Sequence, residues 1–278
     1  MEYKIYRMMS FAKETHGGNP AGVVFNADTL NEKEMQLIAS DIGYSETAFV
    51  MKSSHTDFNI RFFTPINEVN LCGHATIATF NLLRDKGIIT KGFYTQETKA
   101  GILKIEVKDK IVYMEQLPPI YGDLVDPTLI EDCFNTTKIV NTELPIRVLS
   151  TGLREIFVPI KGIKELNEII PDIIKIKNIS DKYNVIGIHC FALTNESDID
   201  AYGRNFAPIV GINEESATGT SNGALGCYLN NYVYKDKTNF VLRQGYSMDR
   251  PSEILTKLTK RNDEIVTVFV GGGATLIK

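Results

Sequence analysis

Two stretches decide the fold: Arg61-Phe62-Phe63-Thr64-Pro65 followed by Cys72-Gly73, and Arg204-Asn205-Phe206-Ala207-Pro208 followed by Thr218-Gly219. Each joins Arg-x-Phe-x-Pro to a small polar residue and a glycine, and each leads into an uncharged run. Arginine and glycine are twelve residues apart in the first copy and fifteen in the second. A pentapeptide recurs by chance; matching surroundings on both sides make duplication the better explanation.

Working outward, the same order of elements appears twice. In the first half Ile5–Phe11 and Ala21–Phe25 read as strands around a turn at Thr15-His16-Gly17-Gly18-Asn19-Pro20. Asn31 with Glu34 three residues later is a capping box, opening a helix that stops at Gly43. Strands are expected at Thr47–Met51 and Phe58–Phe63, then a helix from Gly73 to Lys86. In the second half Glu155–Ile160 reads as a strand and Lys164 to about Tyr183 as helix broken near Pro171. Strands follow at Val185–Leu193 and Asp200–Phe206, then a helix from Gly219 to about Val233. Gly271-Gly272-Gly273 lacks the Lys-Ser/Thr of a phosphate loop and reads as a tight turn between Val266–Val270 and Thr275–Ile277.

The matched helices, from His74-Ala75-Thr76 to Leu83 and from Thr220-Ser221-Asn222 to Leu229, carry no charge over those residues. A helix without a charged face is buried all round. Among short antiparallel strands, its natural place is inside a curled sheet. The chain is therefore expected to be α+β, with domains 1–118 and 119–278 and the last strand a candidate for return to the first half. Each half would be a mostly antiparallel, barrel-like sheet around a central helix.

Composition narrows the function. The 278 residues suit two domains, with 43% hydrophobic and 23% charged residues and a net charge of −4. No basic concentration exists to follow a phosphate backbone, so nucleic acid is not an expected partner. Charge interrupts the first residues, Met1-Glu2-Tyr3-Lys4-Ile5-Tyr6-Arg7, and no apolar run reaches bilayer length, so neither a secretory signal nor a membrane is expected. Cys72, Cys133, Cys190 and Cys227 lie far apart, which fits a reduced, cytoplasmic protein. The four histidines are too scattered for a His-rich metal site.

Both central helices start at a glycine beside small polar residues, and their N–H groups and positive dipole ends favour an anion. Were the halves to face each other, both ends could meet one small acidic molecule. Glu46 opens the strand Thr47-Ala48-Phe49-Val50; a carboxylate entering a buried strand can lose water and suit proton shuttling, although alone it also reads as a solvated loop-end residue. His74, in the first turn of its helix, can donate to a ligand or titrate near neutrality, and it equally reads as a histidine satisfied by local backbone. Cys72 is a candidate base, or a small buried hydrophobe. Glu215, before Ser216-Ala217-Thr218-Gly219-Thr220-Ser221, is a candidate site carboxylate or simply a dipole partner.

Gly18-Asn19-Pro20-Ala21-Gly22-Val23, Ser45-Glu46-Thr47-Ala48-Phe49, Arg61-Phe62-Phe63-Thr64-Pro65, Leu71-Cys72-Gly73-His74-Ala75-Thr76, Ala217-Thr218-Gly219, and Gln244-Gly245-Tyr246 with Arg250-Pro251-Ser252 resemble, in order, the signature segments of phenazine-biosynthesis PhzF-like proteins. The resemblance implies the diaminopimelate-epimerase-like fold in two pseudo-symmetric halves, a homodimer, and isomerase chemistry without a cofactor. It implies Glu46 as the proton-shuttling glutamate and His74 as the active-site histidine. Glu215 and Thr220 fall where the family more often has aspartate and serine, and Ser216 replaces the usual proline. Asn19, Cys72, Gly73, Ala75, Gly219, Thr220 and Ser221 are the expected substrate-binding positions. Epimerase relatives use two cysteines; Cys72 matches the first, but Thr218 stands at the second, which disfavours a two-thiol racemase. A Cys72-based epimerase and a non-catalytic small-molecule-binding protein are the alternatives.

Overall fold

The computed structural model describes residues 3–14, 16–134 and 138–277. Met1, Glu2 and Thr15, the first residue of the expected turn, lie outside the described residues. The chain divides into two compact units, Met1–Glu115 with Gly271–Lys278, and Gln116–Val270. No helix among the described residues is long and apolar enough to cross a membrane.

The first unit runs β1 (Lys4–Ser10), β2 (Asn19–Phe25), α1 (Glu32–Ile42), β3 (Glu46–Met51), β4 (Phe58–Phe63), β5 (Glu68–Val69), α2 (Gly73–Asp85), β6 (Gly92–Thr98), β7 (Gly101–Val107) and β8 (Val112–Gln116). The second runs β9 (Ile120–Leu124), α3 (Pro127–Glu131), β10 (Arg147–Ser150), β11 (Arg154–Ile160), α4 (Ile163–Asn167), α5 (Ile173–Tyr183), β12 (Ile188–Leu193), β13 (Ala201–Ala207), β14 (Ile212–Glu215), α6 (Gly219–Tyr232), β15 (Asn239–Gln244) and β16 (Ser252–Arg261). Then come β17 (Glu264–Gly272) and β18 (Ala274–Leu276), the latter pairing with β1.

One topology is written twice. In the first unit β1 meets β2 antiparallel, β2 meets β3 parallel across α1, β3 meets β4 antiparallel, and β4 meets β5 antiparallel and β6 parallel across α2. In the second, β10, β11, β12, β13, β14 and β15 repeat those joins in the same order and sense, with α4 and α5 in the place of α1 and α6 in the place of α2. The sheets are thus antiparallel with parallel joins where a helix crosses over. Among the described residues β18 and β8 are not paired with each other.

The uncharged helices lie where their composition demands. His74 to Leu83 of α2 are all buried, and α2 packs on β1, β2, β3, β7 and β18. In α6, Ser221 to Asn230 are buried, against β10, β15 and β16. Each fully buried Leu, Ile or Phe contributes about 1.5–3 kcal/mol of apolar burial, and Phe80, Ile77, Leu225 and Leu229 are wholly enclosed. The other faces of β2–β4 are covered by α1 through Met35 and Ala39, packed with Val24, Phe49 and Phe63. The capping box of α1 forms as expected, Asn31 accepting from the Glu34 N–H and Glu34 from the Asn31 N–H.

The Arg-x-Phe-x-Pro repeat has a structural cause. Side chains two apart on a strand share a face, and Arg61 lies over the Phe63 ring as Arg204 lies over Phe206, each at 5.1 Å. Each guanidinium then grips, with two hydrogen bonds, a glutamate on the short strand that leads to the central helix. Arg61 holds Glu68 at 2.7 and 2.6 Å; Arg204 holds Glu214 at 2.8 and 2.8 Å and also donates to the Leu166 and Ile169 carbonyls. Lysine cannot reproduce this planar fork. Arg204→Lys is expected to destabilise the protein by about 2–3 kcal/mol, because Glu214 and two buried carbonyls lose their partner; urea unfolding checks this.

The break expected near Pro171 is there: it separates α4 from α5, and Asp172 caps the second helix by accepting from the Lys175 N–H. One expectation about local structure changes. Gly271 and Gly272 are not a turn but the end of β17. A Cβ at Gly271 would stand 2.4 Å from the Tyr113 ring, so glycine is there for close approach.

Candidate active site

The start of α2 gathers residues from four segments of the first unit. Cys72 is its N-cap and His74 its second residue, while Glu46 begins β3 and Asn19 begins β2. The helix start is pinned from both sides: the Ser10 hydroxyl on β1 donates to the His74 carbonyl at 2.7 Å, and the Thr76 hydroxyl donates to the Cys72 carbonyl at 2.8 Å.

His74 is the centre of the cluster. Its Nε2 lies 3.3 Å from Glu46 Oε2 and 3.3 Å from the Ser45 hydroxyl. Its Nδ1 lies 3.4 Å from Cys72 Sγ and 3.4 Å from the Asn19 amide nitrogen. Burial pushes the imidazole pKa down, while the Glu46 charge and a hydrogen bond to the Pro20 backbone carbonyl pull it partly back. The ring is therefore neutral at neutral pH, able to accept at one nitrogen and donate at the other.

Glu46 Oε2 is buried and has no aligned hydrogen-bond donor among the described residues, although it sits 3.3 Å from the imidazole. Proximity without alignment leaves a lone pair uncommitted and able to accept a proton. The N-cap Cys72 makes no side-chain hydrogen bond to the helix start, so the positive end of α2 is not neutralised by its own cap.

The second unit builds a different cluster at the start of α6. The Thr218 hydroxyl donates to Glu215 Oε2 at 2.6 Å. Gln244, on β15, donates to the Glu215 carbonyl at 2.7 Å and accepts from the Thr218 N–H and the Asn222 amide at 3.2 and 2.7 Å. Gly219 opens α6, Thr220 is half-buried with its carbonyl accepting from Thr151, and Ser221 is buried. Gln244→Met is expected to cost about 2 kcal/mol and loosen the start of α6, since several buried groups lose one shared partner; thermal unfolding and amide exchange in that turn test it.

Beneath that turn lies a polar cluster that sequence reasoning missed. Glu155 on β11 is 1% exposed and accepts from the Asn205 amide at 2.7 Å; Asn205 Nδ2 is 3.1 Å from the Ser221 hydroxyl and 3.3 Å from His189 Nδ1. Burial pushes the Glu155 carboxyl up, against hydrogen bonds from Ser221 and Asn205, and pushes His189 down to about 3. Of the residues missed, Ser45 and Gln244 had a signal in their signature segments; Ser10, Glu155 and His189 had none.

Of the expected site residues, the first unit thus brings together Asn19, Glu46, Cys72, Gly73, His74 and Ala75, and the second Glu215, Gly219, Thr220 and Ser221.

Residues 8–278 match the family model described as phenazine biosynthesis-like protein. An uncharacterized isomerase of Clostridium acetobutylicum is 35% identical, covering 99% of this chain and 96% of that protein. The trans-2,3-dihydro-3-hydroxyanthranilate isomerase of Pseudomonas chlororaphis is 29% identical over 95% of this chain and 93% of its own length. The crystal structure of a PhzF-family phenazine biosynthesis protein from Bacillus anthracis superposes with a TM-score of 0.91 at 30% identity, covering 100% of this chain and 98% of that one. Twofold topology, signature segments and full-length similarity agree: the chain belongs to the phenazine biosynthesis-like (PhzF) family of isomerases and has its diaminopimelate-epimerase-like fold.

Proposed function

We propose that this isomerase moves a proton between carbons of a small carboxylate-bearing substrate, without a cofactor, using Glu46 as general acid/base. The observation that carries the reading is Glu46 Oε2, buried, unaligned with any donor and 3.3 Å from a neutral imidazole. Glu46 takes the proton from one carbon and returns it to another. His74 orients the substrate or relays the proton. The backbone N–H groups of Gly73–Ala75 take the acid group, with Asn19 and Cys72 shaping its surroundings. Glu215, held by Thr218, and the start of α6 at Gly219, Thr220 and Ser221 are the second unit's own candidates for substrate contact. The protein would work as a cytoplasmic homodimer.

The test runs in heavy water. The enzyme is incubated first with trans-2,3-dihydro-3-hydroxyanthranilate, the compound named for the Pseudomonas chlororaphis relative, then with a small-molecule extract of its source cells. Mass spectrometry should show a carboxylated compound converted and deuterated at the carbon that receives the proton. Neither conversion nor label in both mixtures would overturn the reading.

One observation favours a second reading, an epimerase with Cys72 as base: Sγ lies 3.4 Å from His74 Nδ1, within reach of a proton acceptor. Against it, the matching residue before Gly219 is Thr218, whose hydroxyl is already given to Glu215. Cys72→Ala decides: abolished turnover supports the epimerase, unchanged chemistry the shuttle through Glu46.

A further inference from the structure

Glu46, Cys72 and His74 come from sequence positions whose spacing shows no metal motif, yet folding places one ligand atom of each within 4.8 Å of the others. We infer that these three side chains form a binding site for a thiophilic divalent cation, Zn²⁺, which inhibits the enzyme by occupying its proton-transfer groups. The inhibitory consequence rests on the proton-shuttle reading above; the binding site itself does not.

The imidazole–carboxylate pair fits the ion as it stands, and the cysteine is in reach of it. Zinc bonds of about 2.0–2.3 Å to nitrogen, oxygen and sulfur give tetrahedral edges of about 3.3–3.6 Å. His74 Nε2 and Glu46 Oε2 are 3.3 Å apart, whereas Cys72 Sγ is 3.9 Å from that nitrogen and 3.4 Å from Nδ1, so the thiol must turn to another χ1 rotamer to join an ion on Nε2. The donor set is selective. Thiolate and imidazole suit zinc and exclude the hard cations Mg²⁺ and Ca²⁺, which take oxygen ligands. Thiolate and carboxylate together balance the ion's two charges. Cys72 and His74 are 7% and 5% exposed, so few waters compete.

The frame is also that of a metal site. Cys72 and His74 are fixed by the start of α2, which Ser10 holds, and Glu46 by the first pair of β3, opposite Ala21 of β2. The ring's hydrogen bond to the Pro20 carbonyl is the kind of outer support that orients a ligating histidine. Three protein ligands leave a fourth position open, as in zinc sites that exchange their ion or water. Binding converts the thiol to a thiolate, and the displaced proton leaves to solvent.

The test uses the purified full chain, stripped with a chelator and titrated with Co²⁺ as a coloured stand-in, then with Zn²⁺. Binding should saturate at one Co²⁺ per chain, with a thiolate-to-cobalt charge-transfer band and the visible bands of a tetrahedral site, and Zn²⁺ should bleach both. Cys72→Ser should lose the thiolate band, His74→Gln and Glu46→Gln should each weaken binding at least about tenfold, and Cys133→Ser should bind as the parent does. Circular dichroism confirms that each variant is folded, and the two variants that keep the cysteine test the site should Cys72→Ser fail to fold. Absence of a thiolate band, or a band that survives in folded Cys72→Ser, overturns the site. Because the readout is absorption rather than turnover, a cobalt band in a protein inert to every substrate would keep the metal site while removing the proton-shuttle reading.

Discussion

Glu46→Gln is expected to lower kcat by about 10²–10⁴-fold, the usual worth of a positioned general base, while leaving KM and the melting temperature close to those of the parent. Glutamine keeps the shape of the side chain and its place at the first residue of β3. What it loses is the acceptor at Oε2, the atom that is buried without an aligned donor. In the proposed reading ground-state binding rests on backbone N–H groups at the start of α2, so substrate affinity should hold. Steady-state rates beside circular dichroism make the comparison. Turnover within threefold of the parent would remove Glu46 from the chemistry; a parallel fall in stability would make it a structural residue instead.

The second large effect is acid sensitivity centred on His189. The ring is fully buried on β12, its Nε2 has no hydrogen-bond partner among the described residues, and burial holds its pKa near 3. Unfolded, the same group titrates near its model value of 6.5. Between those values the unfolded chain binds the proton and the native one does not, so stability is full above about pH 6.5 and falls as pH drops toward 3. The ceiling is about 5 kcal/mol, of which about 3 is lost by pH 4. His74, also lowered by burial, adds to the same slope. Glu155 acts the other way: its raised native pKa gives stability that is present below the unfolded value of 4.5 and lost as pH rises through the native one. Urea unfolding of the parent and of His189→Gln at pH 7 and pH 4 isolates the histidine, and the variant should lose about 3 kcal/mol less between the two. Equal losses would show that His189 does not govern the acid transition.

Much of this architecture is legible in the chain. A helix with no charged residue has only one kind of place to go, and both α2 and α6 are there. The Asn31–Glu34 box and Gly43 delimit α1 by local hydrogen bonding alone. The signature around Cys72-Gly73-His74 marks a helix start, and the grouping of Glu46 with it follows from β3 crossing beside β2. Other features depend on partners far away in sequence. The parallel joins are set by which strands a crossover helix brings together, and no single strand records them. Glu155 opens its strand like a solvated end residue, yet Asn205, fifty positions later, takes it into the core. His189 sits in a strand buried on both faces, where the inside–outside alternation that would flag it is absent. Gly271 and Gly272 look like a turn until Tyr113 stands against them. Gln244 acquires its role only when α6 arrives with Thr218 and Asn222.

Aligning the two copies on Arg61 and Arg204, which pair with Phe49 and Cys190, places Gly187 where the first copy has Glu46. No side chain fits there, since a Cβ would lie 1.9 Å from the Phe206 carbonyl oxygen. Only the first copy carries an acid there; in the second, backbone fills the space. If Glu46 is the shuttle proposed above, its one carboxyl carries one hydron at a time, and with 17% of the side chain exposed that hydron is shielded from solvent. The atom removed from the substrate can then be the atom put back. Product formed in heavy water should remember its origin, carrying less than one deuterium per turnover at the carbon that gains the hydrogen, whereas an enzyme with a base on each side would deliver a solvent hydron every time.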